Sequence, residues 1–440
     1  MEVRIRMRIL VVSCSPWRDD NNIGNTYTNI FQGMKNIEIA HICCGSGIPD
    51  TKFVKRHFHI SEKSIIKNLI NGKYPCGYEV NDLNNNELEP IGKKTGFFDF
   101  MRKNRLQIFF WVRDLIWSFN NWKSDSLKKF IDDFNPDIIF AIFLDSIYLN
   151  KMLLFIHNYI KKPLVLYAWD DVYTLKQFSL SPFYWINKII QRNYLRKVAK
   201  ISSAIYTISD FQKKEYSKIF KKECKILFKG YNFNSEYIPY KLNNPLKLVY
   251  TGNLGQGRWK SLILIAKALK AINNYEIKAQ LFIYTLTPLK NKVKKQLNDE
   301  KNVFFKGSAT AEEVKIIQHE ADILVHAESF DLKNKLIVKY SFSTKLVDYF
   351  KSAKCIFAVG SEDVTSIKYL IKYDAAIVAK NKHEIIEKLN NIVSNYNLIY
   401  EYGRKSWNCG MKNHDIYKIQ DNLFRDLKYI SGETYESITN

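Results

Sequence analysis

The chain reads as an α/β protein made of two successive parallel-sheet domains. Three observations predict this. Short apolar runs alternate with amphipathic stretches through the first half, the alternation lapses into Asn, Tyr and Pro near residues 232–245, and a second set of the same units follows. Strands alternating with helices imply parallel sheets covered on both faces.

Arg8-Ile9-Leu10-Val11-Val12-Ser13 reads as a buried first strand, starting near Met7 and followed by a loop containing Gly24. Asp137–Ile142 and Pro163–Ala168 read as further strands, separated by a helix-like stretch near Tyr148 to Ile160. Ala204–Ile208 then precedes Ser209, whose hydroxyl is placed to cap a helix over Phe211 to Phe220. In the second half the strands are Leu246–Tyr250, Gln280–Tyr284, Val303–Phe305, Ile323–Val325 and Cys355–Ala358. The stretch from Ile416 to Ile430 has helical spacing and is expected to cross back onto the first domain.

At 440 residues the chain can hold two ordinary domains, each with its own core. Hydrophobic content is 46%, yet no apolar run approaches the about 18 residues a spanning helix needs. No signal peptide is read at the N-terminus. The seven cysteines form no CxxC, so neither a zinc ribbon nor a disulfide framework is indicated, and a cytoplasmic location fits. Eight histidines give no HExxH; His57 and His59 read as a surface pair rather than a metal bracket. The net charge of +23 draws anionic surfaces, whether nucleic acid, acidic lipid or phosphate, without selecting one.

Chemistry concentrates in two stretches of the second half. In Tyr340–Phe350, the run Ser343-Thr344-Lys345 is expected to open a helix just beyond a strand, where free backbone N–H groups meet an anion. Asp348, one turn on, is placed to accept hydrogen bonds from a sugar hydroxyl. Phosphate and sugar together point to a nucleotide-sugar. The turn Thr251–Lys260 follows the first strand of this half; Gly252, Gly255 and Gly257 allow close backbone approach, while Arg258 and Lys260 bring positive charge.

These motifs resemble the donor domain of GT-B glycosyltransferases, in particular the retaining family-four type of bacterial surface-polysaccharide enzymes. Thr251-Gly252-Asn253-Leu254-Gly255 is similar to the family's glycine-rich turn, Phe305-Lys306-Gly307 to the strand-end glycine beside the nucleotide base, and Ser341–Lys345 with Asp348 to the later acidic motif. Asp348 stands where the family has its second glutamate, expected to bind ribose. Tyr340 occupies the first glutamate position, with Glu328 the nearby acid to replace it. Asn253 replaces a common arginine, which moves the phosphate role to Arg258.

The resemblance implies a GT-B architecture of two Rossmann-like domains facing a central cleft: an acceptor domain over 1–235, a donor domain over 236–412 and a returning C-terminal helix over 413–440. The implied donor contacts are Gly24, Gly252, Asn253, Gly255, Arg258, Lys260, Gly307, Ser343, Thr344, Lys345 and Asp348. The leaving diphosphate is stabilised by Arg, Lys and helix N-termini, with no metal and no cofactor. Asp170 and Asp171, at the carboxyl end of a strand, border the ligand crevice of an open sheet and are candidate catalytic acids, as are Asp145 and Glu328; Asp171 equally suits a helix N-cap.

Two basic-aromatic stretches, Met101–Arg113 and Ser181–Lys200, suit either helices in an anionic lipid interface or core-facing helices with a solvated basic face. The leading expectation is a glycosyltransferase of the hexosyl type. It would use a nucleotide-sugar donor and a glycolipid or oligosaccharide acceptor, on the inner face of the membrane, in capsule or O-antigen synthesis. The alternatives are a nucleotide-sugar epimerase, a basic nucleic-acid-binding protein or an idle polysaccharide-assembly partner. No nucleic-acid-recognition motif is present, so no nucleic acid is expected.

Overall fold

The computed structural model describes residues 6–18, 22–45, 47–80, 107–233 and 236–432, with the backbone alone at 22 and 107–110. The chain divides into two compact units. The first takes residues up to Thr174, then Ser179–Leu227 and the residues from Lys418; the second takes Leu175–Phe178 and Phe228–Tyr417.

In the first unit, strands β1 (Met7–Ser13), β2 (Ile37–Cys44), β3 (Arg56–Ile60), β4 (Tyr78–Val80), β5 (Ile138–Ile142), β6 (Leu164–Ala168), β7 (Ala204–Thr207) and β8 (Cys224–Ile226) form one sheet. Its order is β4-β3-β2-β1-β5-β6-β7-β8, with only the β3–β4 pair antiparallel. Alternate residues of β1 and β5 feed different cores: Leu10, Val12, Ile139 and Ala141 on one face, Ile9, Val11, Ile138 and Phe140 on the other. That two-sided burial is why these strands are continuous apolar runs. The helices are α1 (Asn22–Phe31), α2 (Glu62–Ile70), α3 (Gln107–Ser118), α4 (Asp125–Phe134), α5 (Ile147–Ile160), α6 (Pro182–Ile201) and α7 (Asp210–Phe220). Ser209 caps α7, its Oγ accepting the Gln212 N–H at 3.2 Å.

The second unit has a six-stranded parallel sheet of β9 (Leu246–Thr251), β10 (Ala279–Tyr284), β11 (Val303–Gly307), β12 (Ile323–Ala327), β13 (Cys355–Val359) and β14 (Ile377–Ala379). The order β11-β10-β9-β12-β13-β14 reverses direction between β9 and β12. Such a switch point leaves a crevice beyond the strands' carboxyl ends, because the crossovers on either side leave in opposite directions. Helices α8 (Arg258–Ile272), α9 (Asn291–Gln296), α10 (Ala311–His319), α11 (Leu332–Val338), α12 (Lys345–Lys351), α13 (Thr365–Lys372), α14 (Lys382–Ser394) and α15 (Asn397–Asn413) accompany it.

The final helix, α16 (Ile416–Ser431), belongs from Lys418 onward to the first unit. Leu423 and Leu427 enter the core beside β1 and β5. Gln420 donates to the carbonyls of Asn29 and Gln32 at 3.3 and 2.8 Å, and Asp426 accepts from Tyr206 at 2.7 Å.

Three local expectations are corrected. Helix α12 does not follow β12 directly: α11 intervenes, capped by Asp331, whose Oδ1 accepts the Asn334 N–H at 3.0 Å. Gly24 lies in the first turns of α1 rather than in a loop. His57 and His59 are buried, not superficial. His57 joins a chain in which Ser13 Oγ lies 2.8 Å from His41 Nε2 and His41 Nδ1 lies 3.1 Å from His57 Nδ1, ending on the Val54 carbonyl at 2.9 Å. Alternation along β3 places both rings on one face, and the antiparallel β4 covers that edge. Of the basic-aromatic stretch at Met101–Arg113, residues 101–106 lie outside the described residues.

Candidate functional site

The switch point of the second sheet gathers four of the expected residues. After β9 the chain turns through Gly252 to Gly257 and enters α8 at Arg258; after β12 it reaches Glu328. Arg258 grips Glu328 with two hydrogen bonds, Nε to Oε2 at 3.1 Å and Nη2 to Oε1 at 3.2 Å, and Nη1 reaches Gln256 at 2.9 Å. Glu328 is 2% exposed, and Ser261 Oγ holds its carbonyl at 2.6 Å. Burial works against the Arg258 charge, but the facing carboxylate and Tyr250 outweigh it and hold the guanidinium more firmly protonated than usual.

Lys345 approaches from α12. Its Nζ lies 4.5 Å from the Tyr250 ring centroid and donates to the Thr251 carbonyl at 3.2 Å. Burial, and then the Arg258 charge, lower its pKa to about 8, partly offset by Glu328. Gly252 explains how it fits: at φ 129° the backbone favours glycine, and a Cβ there would lie 2.8 Å from Nζ. Gly257, at φ 72°, packs against α11 and the turn before it, where a Cβ would come within 2.7 Å of Asn334 Nδ2 and Ser329 Oγ. Two cations thus face one carboxylate around a glycine turn, leaving a positive surplus at the carboxyl edge of β9 and β12. An anion is the ligand such a surplus favours.

The remaining expected residues sit differently. Lys260 pairs with Asp331 at 3.0 Å. Burial would raise the Asp331 pKa, but hydrogen bonds from Ser329, Asn334 and Lys260 win and hold it well below the usual carboxylate range. Asn253 folds onto its own turn, its Oδ1 accepting from the Gly255 N–H and from Thr287 Oγ1. Gly307 ends β11 at φ 81°, its carbonyl accepting the Thr285 N–H at 2.6 Å. The carbonyls of Ser343 and Thr344 accept the Leu346 and Val347 N–H groups, so part of the first turn of α12 is internally satisfied. Asp348 meets Lys229 at 3.1 and 3.4 Å. Tyr340 accepts a hydrogen bond from Lys176 at 2.6 Å.

In the first unit, Asp145 lies 3.5 Å from Lys188, whose Nζ also donates to the Val172 carbonyl at 2.7 Å. Lys188 therefore ties the loop after β5 to the loop after β6. Asp171 caps the turn that follows it rather than a helix. Its carboxylate accepts from the Tyr173 and Thr174 N–H groups at 3.3 and 3.0 Å, from Tyr216 at 3.2 Å and from the Thr174 hydroxyl. Asp170 has an exposed side chain, and its carbonyl accepts from Gln212 at 2.8 Å. Gly24 presses against the chain itself: a Cβ would stand 2.0 Å from the Arg18 carbonyl oxygen.

Three residues that meet expected ones, one in the first unit and two in the second, were missed from sequence. Lys229, 119 residues before Asp348, has no local signal. Lys188 reads only as one cation among several on α6. His326, on β12, shares its Nε2 with Ser366 Oγ at 3.0 Å beneath the Arg258–Glu328 pair. Burial and then the Lys345 and Arg258 charges keep it neutral. Asp331, a cap-type residue ahead of α11, is the local signal by which that helix could have been found.

No protein-family model matches the chain. No curated protein matches it in sequence. Among solved structures it is similar to Anabaena Alr3699/HepE in complex with UDP, at a TM-score of 0.62 and 10% identity over 96% of this chain and 100% of that one. It is similar to sucrose-phosphate synthase from Thermosynechococcus elongatus, at a TM-score of 0.60 and 9% identity over 98% and 100% of the two chains. It also matches TarM at a TM-score of 0.51 and 14% identity, over 66% of this chain and 54% of that one. The chain spans about half the length of TarM. The likeness is one of fold, and the fold is GT-B.

Proposed function

We propose that this chain is a glycosyltransferase that moves a hexosyl group from a nucleoside-diphosphate sugar to a lipid-linked or oligosaccharide acceptor. The observation that carries the reading is the Arg258–Glu328–Lys345 cluster around Gly252 at the switch point of a GT-B sheet. Alr3699/HepE was solved with UDP and with UDP-glucose, and a trehalose-6-phosphate protein from E. coli with UDP-2-fluoro glucose. A uridine nucleotide is accordingly the proposed donor.

In this reading Lys345 and Arg258 hold the diphosphate and stabilise the charge that grows on it as the sugar leaves, without a metal. Glu328 orients Arg258, and Asp348 exchanges Lys229 for a ribose hydroxyl. Asp170, exposed beyond β6, is the proposed group at the acceptor side, with retention at the sugar carbon. The acceptor would belong to bacterial capsule or O-antigen synthesis and be met at the cytoplasmic membrane surface.

The test is thermal unfolding with a panel of nucleoside diphosphates and nucleotide-sugars, followed by transfer assays with membrane lipid extract. A ligand at a hundredfold excess over Kd adds about 2.7 kcal/mol to stability, and UDP or UDP-hexose is expected to do so. Lys345→Ala should weaken that binding roughly 10- to 100-fold, the worth of a hydrogen bond to a charged group. Because burial and the Arg258 charge lower the Lys345 pKa to about 8, wild-type affinity should decline as pH rises through that value, whereas Lys345→Arg should decline less. No stabilisation by any nucleotide would sink the reading.

A further inference from the structure

Three neighbouring helices on one layer of the first unit leave apolar side chains in solvent. Helix α6 buries Asn187, Lys188, Leu195 and Val198, yet its other side presents Phe183 at 58%, Ile186 at 48% and Ile189 at 62% exposure. Helix α3 lies against it: the Trp111 indole donates to Asn187 at 3.2 Å and its ring lies 5.9 Å from that of Phe183. That helix leaves Val112 and Leu115 exposed. Helix α2 continues the band, joined to α3 where Trp117 donates to Glu62 at 3.1 Å, and it leaves Ile70 at 83% exposure. A monomer rarely leaves such a run of large apolar side chains uncovered.

The charge beside the band selects what covers it. Helix α6 contains Lys188, Arg192, Arg196, Lys197 and Lys200 and no acid. Of these, Arg196 turns its guanidinium to the Tyr173 hydroxyl at 3.0 and 2.8 Å, while Lys197 and Lys200 are exposed, as are Lys63 and Lys67 on α2. Lysine is depleted in protein–protein interfaces, whereas apolar side chains next to lysine and arginine suit the boundary between anionic headgroups and acyl chains. Tyr184 and Trp185, partly exposed where the helix opens, are ring types favoured at that depth. Among the described residues no helix is long and apolar enough to cross a membrane, so the geometry is that of helices lying in the surface plane.

We infer that the exposed apolar face of α6 and α3, continued by α2, docks the protein on an anionic lipid bilayer, with Lys197 and Lys200 on the headgroups. The inference rests on, and gives a location to, the membrane-bound acceptor of the proposed function.

The test is sedimentation of the full chain with phosphatidylglycerol–phosphatidylethanolamine vesicles and with phosphatidylcholine vesicles. The expected result is binding to the anionic vesicles that weakens in high salt, and that falls roughly tenfold or more in Ile186→Asp/Ile189→Asp. Lys197→Glu/Lys200→Glu should lose the preference for anionic lipid. Both variants should keep the wild-type circular dichroism and UDP-induced thermal shift, which separates a failure here from a failure of donor binding. Wild-type protein that ignores anionic vesicles, or variants that bind as wild type does, would overturn the inference. So would light scattering that shows a dimer dispersed by the isoleucine substitutions, since a second copy would then cover the face.

Discussion

Glu328 presents both carboxylate oxygens to Arg258 in a position almost sealed from water. A buried pair gains little over an apolar replacement, but removing one partner strands the other charge. Glu328→Gln is therefore expected to destabilise the protein by about 3–5 kcal/mol, read as a shift of the urea midpoint, and to let Arg258 swing from its present position. An exposed pair such as Lys315–Glu312 should cost well under that on the same substitution, because solvent screens it. The glycines and cations of this cluster were legible in the chain because a strand, a glycine turn and a basic helix start are adjacent in sequence. Glu328 was legible as an acid near a strand end. That its charge is neutralised by Arg258, 70 residues earlier, was not.

Among the elements, α16 shows how a terminal helix can be essential to a core built mostly from residues hundreds of positions away. Leu427 is fully buried beside Ile9 and Phe140, and Gln420 closes on the end of α1. Leu427→Ala is expected to cost about 2–5 kcal/mol, as large-to-small core substitutions do, measured by denaturant unfolding. Its amphipathic spacing predicted the helix; the return onto the first domain was an expectation of the resembled two-domain architecture. Helix α12 teaches the converse. Its start at Lys345 was readable, but the intervening α11 was not, because seven residues give too few turns for periodicity and only the Asp331 cap marks it.

On the scale of the whole molecule, each unit buries a neutral histidine. Burial lowers His57 to about 4 in the first unit and His414 to about 4 in the second, the latter held between Tyr369 and the Lys229 carbonyl. An unfolded histidine titrates near 6.5. Between those values the unfolded state binds more protons, so the stability these sites permit is complete above about pH 6.5 and is lost as pH falls toward about 4. The slope is about 1.4 kcal/mol per pH unit for each histidine in that window. Urea midpoints at pH 7 and pH 5 should therefore differ measurably, and His57→Gln should flatten the dependence.

The sequence by itself determined the two α/β halves and the final helix and offered the glycine and lysine positions as candidates, since these are written in local periodicity and turn chemistry. Tertiary structure decided which charges meet. Arg258 took Glu328, Lys260 took Asp331, Asp348 took Lys229, and Asp171 spent its carboxylate on its own turn. Strand order brought the ends of β9 and β12 together, and no one-dimensional spacing records which residues a parallel crossover will set side by side.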